Sequence, residues 1–583
     1  MRKTLSKFLT VFILFSLTLG GSLSSVSAES TSSLPVSKVD VGKEGMVATA
    51  EPYATRVGQE VLEKGGTAVD AAVAVQLALN VTEPMMSGIG GGGFMMVYDG
   101  KTKQVSIMNS REKAPSDVTS DLFLDENGKA IPFKERHTSG KAVGVPGMLL
   151  GLQEAHEKWG KLKWKALVKP AENLAKDGFN VSATLSGSIE DSKDKLSEEA
   201  KSVYAPNGQV LKEGALLKQE DLAKTLQLIG KEGSQALYDG ELGKAIVKTV
   251  KDHGGSMTEE DLENYTVKEQ TPIKGKYHGY DIISMPPPSS GGLTVLQILK
   301  MLEPYDISQY GARSPEKYNL VAEAMHLAFA DRNKYIGDTD FVDVPISGML
   351  NGNYLAKRSK EIELLKANKD VKAGDPWSYQ GGKPETEYVP KKDDKEIGQT
   401  THFTIADKWG NLVSYTTTIE QVFGTGIMVP GYGVMLNNEM TDFDAYPGGP
   451  NEVQPNKRPM SSMSPTIVLK DHKPVMTVGS PGGPTIIASV AQTLINKIDY
   501  GMSAEAAIEE PRIYTPTYPN IRYEKGIPSE TIKELEKLGY KFDDEPEEIG
   551  NVQTIDIYDS FYLGAADSSR VGSAAGVDTV KGK

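Results

Sequence analysis

The chain has 583 residues, no cysteine, seven histidines and a formal net charge of -14. These values exclude disulfides, a thiol nucleophile and thiolate metal sites, and the acid excess argues against a basic nucleic-acid face. A chain this long can bury a core large enough to need no cross-links.

Residues 1–28 have the three-part build of a secretory signal peptide: basic Arg2, Lys3 and Lys7, an apolar run from Phe8 to Leu19, then Val26-Ser27-Ala28 before the expected cut. Removing them takes away three cations and no acid, which moves the net charge to about -17. The apolar run is too short to span a bilayer, and no later stretch is long enough. The expectation is a secreted protein whose mature form has no membrane segment.

Thr67 and Asp70 form a capping-box pair at the start of an alanine-rich helix expected to run to about Val81. A glycine run, Ser87 to Gly93, leads into the strand-like Phe94 to Tyr98. With no Gly-Lys-Ser/Thr after it and a strand in place of a helix, the run reads as tight backbone packing, not as a phosphate loop. From about Leu162 to Leu302 helical periodicity dominates, broken by Met285 to Gly292, which leads into an apolar helix Leu293 to Leu302. Glu323 and His326 lie three apart on a helical stretch, but no second histidine follows one turn on. The pair reads as structural, and no metal is expected.

Residues 368–396 are rich in glycine, proline and charge, including Lys391 to Glu396, and read as a solvated linker. Beyond it the pattern turns to short alternating strands. Thr400 to Asp407 and Asn411 to Ile419 flank the turn Lys408-Trp409-Gly410, so a hairpin is expected. A register symmetric about Trp409 sets Thr400 opposite Thr418, at cross-strand contact distance.

Two facing threonines are an ordinary β-sheet pair, but a chain break before Thr400 would give them chemistry. The freed α-amino group, with a pKa near 7.7 to 8, can take the proton of its own side-chain hydroxyl. Such a nucleophile needs neither histidine nor metal. An acyl-transfer site also needs oxyanion donors. Strands expected at Pro465 to Leu469 and Val475 to Ser480, followed by Pro481-Gly482-Gly483-Pro484 and a helix from about Thr485, place two glycine amides at a strand-to-helix junction suited to that task.

Several stretches together make the chain resemble the γ-glutamyltranspeptidases of the N-terminal nucleophile hydrolase superfamily. They are Glu83-Pro84 with Ser87 to Phe94, Ser110-Arg111-Glu112 with Ala114-Pro115, Val145 to Gly147, Met285 to Gly292, Gln399 to His402, Phe423 to Gly426, Leu436 to Asn438, Lys457 to Thr466 and Gly479 to Gly483. They span nearly the whole mature chain in the family's order.

The resemblance implies an α/β (α+β) fold: a four-layer αββα sandwich of two stacked antiparallel sheets flanked by helices. It implies Thr400 as nucleophile, Thr418 as its orienting hydroxyl, and Gly482 and Gly483 as oxyanion donors. Arg111, helped by Ser461 and Ser462, matches the grip on the substrate α-carboxylate. Glu420, Glu439 and Asp442 match the set that holds the α-ammonium.

The implied activity is γ-glutamyl transfer and glutathione hydrolysis, with no cofactor. Self-cleavage at Gln399/Thr400 would give a large subunit, 29–399, and a small subunit, 400–583, in one intertwined domain. The implied donors are glutathione, glutamine and related amides, and the acceptors are water, amino acids or peptides. The chain departs from many family members in one place: only Phe443 to Asn456 separate Asp442 from Lys457, which resembles the lidless members and opens the pocket to bulky donors such as poly-γ-glutamate. The alternatives are a cephalosporin (glutaryl) acylase on the same scaffold and a γ-glutamyl-peptide binding protein that never cleaves itself.

Overall fold

Thr67 and Asp70 form the reciprocal cap, with Thr67 Oγ1 accepting from the Asp70 N–H at 3.1 Å and an Asp70 carboxylate oxygen accepting from the Thr67 N–H at 2.8 Å. The helix it opens, Ala68–Thr82, is buried along its whole length, which is why its sequence is apolar on every face. It belongs to one outer layer of a four-layer arrangement. The computed structural model describes residues 34, 37–382, 388–391 and 396–579, so the signal-peptide expectation for 1–28 lies outside the described residues.

Two seven-stranded antiparallel sheets form the inner layers. One runs, in spatial order, Ser573–Val577, Gly45–Thr49, Thr401–Asp407, Leu412–Thr418, Gly92–Tyr98, Val105–Asn109 and Lys268–Gln270. The other runs Val39–Gly42, Tyr562–Ala566, Gln553–Ile557, Lys473–Gly479, Thr466–Lys470, Tyr280–Ser284 and Ile273–Tyr277. Each sheet combines strands from both sides of residue 400.

Period-two alternation decides which side chains face which layer. Phe403 and Ile405 pack outward into a core shared with helices Pro52–Glu63 and Ala68–Thr82. Thr404 points to the opposite sheet, where its hydroxyl meets that of Thr477 at 2.5 Å. The far layer comprises helices Gly291–Leu302, Pro315–Tyr335 and Thr485–Ile498, whose apolar faces share the second core with Ile467 and Val478.

Two expectations need correction. The stretch read as helical to Leu302 contains, besides the two-residue strands Phe179–Asn180 and Leu216–Leu217, the strands Lys268–Gln270, Ile273–Tyr277 and Tyr280–Ser284. Ile273 and Tyr277 are buried while the residues between them are not, a strand alternation, and His278-Gly279 turns the hairpin with both residues at positive φ. The segment from 368 is also less solvated than its composition suggests. The Tyr335 hydroxyl donates to the Gly374 carbonyl at 2.6 Å, Asp331 accepts from the Gly374 N–H at 2.8 Å, and Trp377 is buried. Residues 383–387 and 392–395 lie outside the described residues.

Candidate active site

The hairpin places Thr400. Thr401 pairs with Thr417 and His402 with Thr416, the register expected from symmetry about Trp409. Continued by one residue it sets Thr400 opposite Thr418. The Gly91 position allows the neighbouring chain to reach this strand end, because a Cβ there would stand 2.1 Å from the Thr418 carbonyl oxygen. The glycine run therefore packs backbone on backbone.

In the continuous chain the Thr418 hydroxyl donates to the Gln399 carbonyl at 2.7 Å and accepts from the Glu420 N–H at 2.8 Å. The Gln399 N–H donates to the Glu420 carbonyl at 2.6 Å. Arg570 holds both sides of the 399/400 bond, donating to the Gln399 side-chain oxygen at 2.8 Å and to the Thr400 carbonyl at 3.3 Å. Its own position is fixed by Glu548 at 2.8 Å. On the opposite face of the strand the Thr401 hydroxyl donates to buried Glu83 at 2.8 Å. Gln399 is thus held at its carbonyl, its N–H and its side-chain oxygen, and Thr400 at its carbonyl.

His402 is close in sequence but offers no base. Burial pushes its imidazole down to about 3, so it stays neutral, and its Nδ1 engages the Thr416 hydroxyl at 2.8 Å.

Strand Lys473–Gly479 and helix Thr485–Ile498 meet at Gly482-Gly483, as the sequence suggests. Their φ angles of 122° and 55° fall where side chains are strained. Neither N–H takes a hydrogen-bond partner among the described residues. Gly483 lines the same cavity as Thr400, whereas Gly482 stands behind it against Gly550.

That cavity, of about 230 Å³, brings together Arg111, Thr400, Thr418, Glu420, Glu439, Asp442, Ser461, Ser462 and Gly483. Arg111 is buried and donates to Glu439 and, at 2.5 Å, to Asp442, with the Met460 carbonyl at 3.1 Å. The cation and the acids that the resemblance assigns to opposite ends of a zwitterion are therefore in contact with one another. Glu112 lies 4.0 Å from Arg111 and is fully buried, with neither carboxylate oxygen hydrogen-bonded. One oxygen of Glu439 is likewise unpartnered. Burial raises the Glu112 carboxyl to about 7, against the pull of Arg111, and raises Glu439 as well.

Glu420 adopts φ 77°, which turns its carboxylate toward the Thr441 hydroxyl at 3.2 Å and the Gln421 amide at 3.1 Å. The loop after Asp442 is short and tied down, since the Asn451 amide donates to the Asp442 carbonyl at 2.8 Å and the Met460 N–H donates to Asn451 at 2.8 Å. Tyr388, Pro390 and Lys391, just upstream of Thr400, also line the cavity. Sequence reasoning missed Arg332 and Arg570, which come from a long helix and from the C-terminal end and carry no local spacing signal. Glu323 and His326 turn out to be structural, bonded to the Tyr540 hydroxyl at 2.7 Å and the Thr515 hydroxyl at 2.7 Å.

A sequence model of the Gamma-glutamyltranspeptidase family matches residues 54–577. The chain is 59% identical to the glutathione hydrolase proenzyme of Bacillus subtilis (strain 168) over 544 residues, 93% of each chain. Among solved structures it is similar to the cephalosporin acylase from Bacillus halodurans, with a TM-score of 0.83 and 27% identity over 94% of this chain and 97% of that one. It is also similar to the γ-glutamyltranspeptidase of Helicobacter pylori, with a TM-score of 0.55 and 37% identity over 58% of this chain and 96% of that one. A match over this much sequence, on two stacked antiparallel sheets between helical layers, places the chain in the γ-glutamyltranspeptidase family.

Proposed function

We propose that this protein is a γ-glutamyltransferase and glutathione hydrolase that cleaves itself before Thr400 and then uses the Thr400 hydroxyl as its nucleophile. The observation that carries the reading is the hydrogen bond from Thr418 to the Gln399 carbonyl, on the peptide that must break. A donor at that oxygen favours the tetrahedral adduct formed when Thr400 Oγ attacks the Gln399 carbonyl carbon. Collapse with loss of the Thr400 nitrogen leaves an ester, which water opens to a Gln399 carboxylate and a free Thr400 amine. That amine is the base for turnover.

In turnover the Thr400 oxygen attacks the γ-carbonyl of the donor, the amine side leaves with a proton, and the acyl-enzyme passes to water or to the amine of an amino acid or peptide. The Gly482 and Gly483 N–H groups are the oxyanion donors. Arg111 takes the donor α-carboxylate through two parallel hydrogen bonds, with Ser461 and Ser462 beside it. Glu420, Glu439 and Asp442 take the α-ammonium. Binding such a zwitterion lets the carboxylate replace the acids now on Arg111 and gives those acids a new cation.

The acid cluster favours this reading over a glutaryl acylase, whose substrate has no α-ammonium to occupy it. The identities point the same way, 59% to a glutathione hydrolase proenzyme against 27% to the cephalosporin acylase. The short loop 443–456 leaves room for bulky donors, γ-linked glutamate polymers among them. Secretion is the further expectation. Mass spectrometry of purified protein tests the core of the proposal: fragments ending at Gln399 and beginning at Thr400 are expected, and a persistent single chain would overturn it.

A further inference from the structure

Arg332, on helix Pro315–Tyr335, lines the cavity with Thr400 yet has no ion pair within 4 Å among the described residues. Its guanidinium is nonetheless held at every corner. Nε donates to Ser290 Oγ at 2.8 Å, Nη2 to Ser462 Oγ at 3.0 Å, and Nη1 to the Asn333 side chain at 2.8 Å. Ser290 in turn donates, from both hydroxyl and N–H, to the Ser461 carbonyl at 2.7 Å. One cation therefore fixes both members of the serine pair.

The direction of these bonds matters. A hydroxyl that accepts from a guanidinium must aim its own proton elsewhere, and the Ser462 hydroxyl takes no acceptor among the described residues. Asp442 and Asp444 feel the Arg332 charge from a distance without pairing with it, and burial works against that charge. A buried cation held by neutral groups is costly unless an anion completes it.

We propose that Arg332 is a positioning residue of the donor site: it orients the Ser462 hydroxyl to donate to the donor α-carboxylate and adds a second positive charge behind it. The proposal rests on the assignment of Ser461 and Ser462 to that carboxylate. It separates two tasks, with Arg111 binding the carboxylate directly and Arg332 acting through a hydroxyl.

Steady-state kinetics on the matured enzyme test it, using a γ-glutamyl anilide and the 4-aminobutanoyl anilide, which lacks only the α-carboxylate. Arg332→Gln is expected to raise KM for the first about tenfold or more, with kcat within about threefold, and to leave kcat/KM for the second unchanged. In a Ser462→Ala background the effect of Arg332→Gln should shrink to what the charge alone contributes, a non-additivity that two unrelated sites do not show. If Arg332→Gln fails to mature, Arg332→Lys serves, with the same selective rise in KM and a smaller size because the two-pronged geometry is lost. Equal losses on both donors, or full additivity with Ser462→Ala, would overturn the proposal. A Ser462→Ala enzyme with unchanged KM would instead remove the underlying carboxylate assignment.

Discussion

Thr418 Oγ1 donates to the Gln399 carbonyl oxygen across 2.7 Å, while the Glu420 N–H donates to the same hydroxyl. The second bond fixes the first, because a hydroxyl that accepts from the main chain has its proton left for the carbonyl. Removing one preorganised oxyanion donor costs about 10²–10³ in rate. Thr418→Ala should slow the loss of full-length chain by about that factor, and Thr418→Ser should restore most of it. A time course of intact mass reads both, and an unchanged rate in Thr418→Ala would remove the hydroxyl from the cleavage step.

Arg111 illustrates a different demand. Its guanidinium spans Glu439 and Asp442 at once and is held by the Pro459 and Met460 carbonyls. A lysine is a single point charge that cannot serve two planar carboxyl groups together. Arg111→Lys is expected to raise KM for a γ-glutamyl anilide at least about tenfold, roughly 1.4 kcal/mol. Self-cleavage should survive, since Arg111 makes no hydrogen bond to Gln399 or Thr400. The check is KM beside fragment yield, and an unchanged KM would displace Arg111 from the carboxylate site.

The hairpin, its register and the glycine junction were legible because each is local. Alternation and the turn at Trp409 fix 401 against 417, and Gly482-Gly483 announces itself by composition. Arg332 and Arg570 were not legible, because each reaches the site from a distant element and only the folded chain shows its partners. Nor was the contact between Arg111 and the acids at 439 and 442, which the resemblance assigned to opposite ends of a ligand. The strands at 268–284 were missed for a related reason, since a short hairpin inside a helix-rich stretch is masked by its neighbours' periodicity.

The glycine junction gives a third test. A Cβ at 483 would stand 3.0 Å from the Gly398 nitrogen, and φ 55° strains any side chain by about 1–2 kcal/mol. Gly483→Ala should therefore lower both kcat and the extent of self-cleavage, because the same displacement moves an N–H from the cavity and pushes on the segment before Thr400. Gly187→Ala, on an open helical position where an added Cβ meets nothing within 4 Å, is the matched control. A Gly483→Ala enzyme that matures and turns over like the control would remove this amide from the oxyanion site.

Stability should carry its own pH signature at Glu51, the N-cap of helix Pro52–Glu63, where a carboxylate oxygen accepts from the Ala54 N–H at 3.1 Å. Burial raises this carboxyl from 4.5 to about 8, and the neighbouring Glu83 is raised in the same direction. Between pH 4.5 and about 8 the folded chain therefore keeps a proton that the unfolded chain has lost. Stability from this group is fully present below pH 4.5 and falls as pH rises toward 8, at up to about 1.4 kcal/mol per pH unit. Glu51→Gln keeps an acceptor for the cap but cannot ionise. In a Thr400→Ala background, where one chain unfolds, Glu51→Gln should lose less melting temperature between pH 5 and pH 8 than its parent. Parallel losses would show that Glu51 does not hold its proton in the folded state.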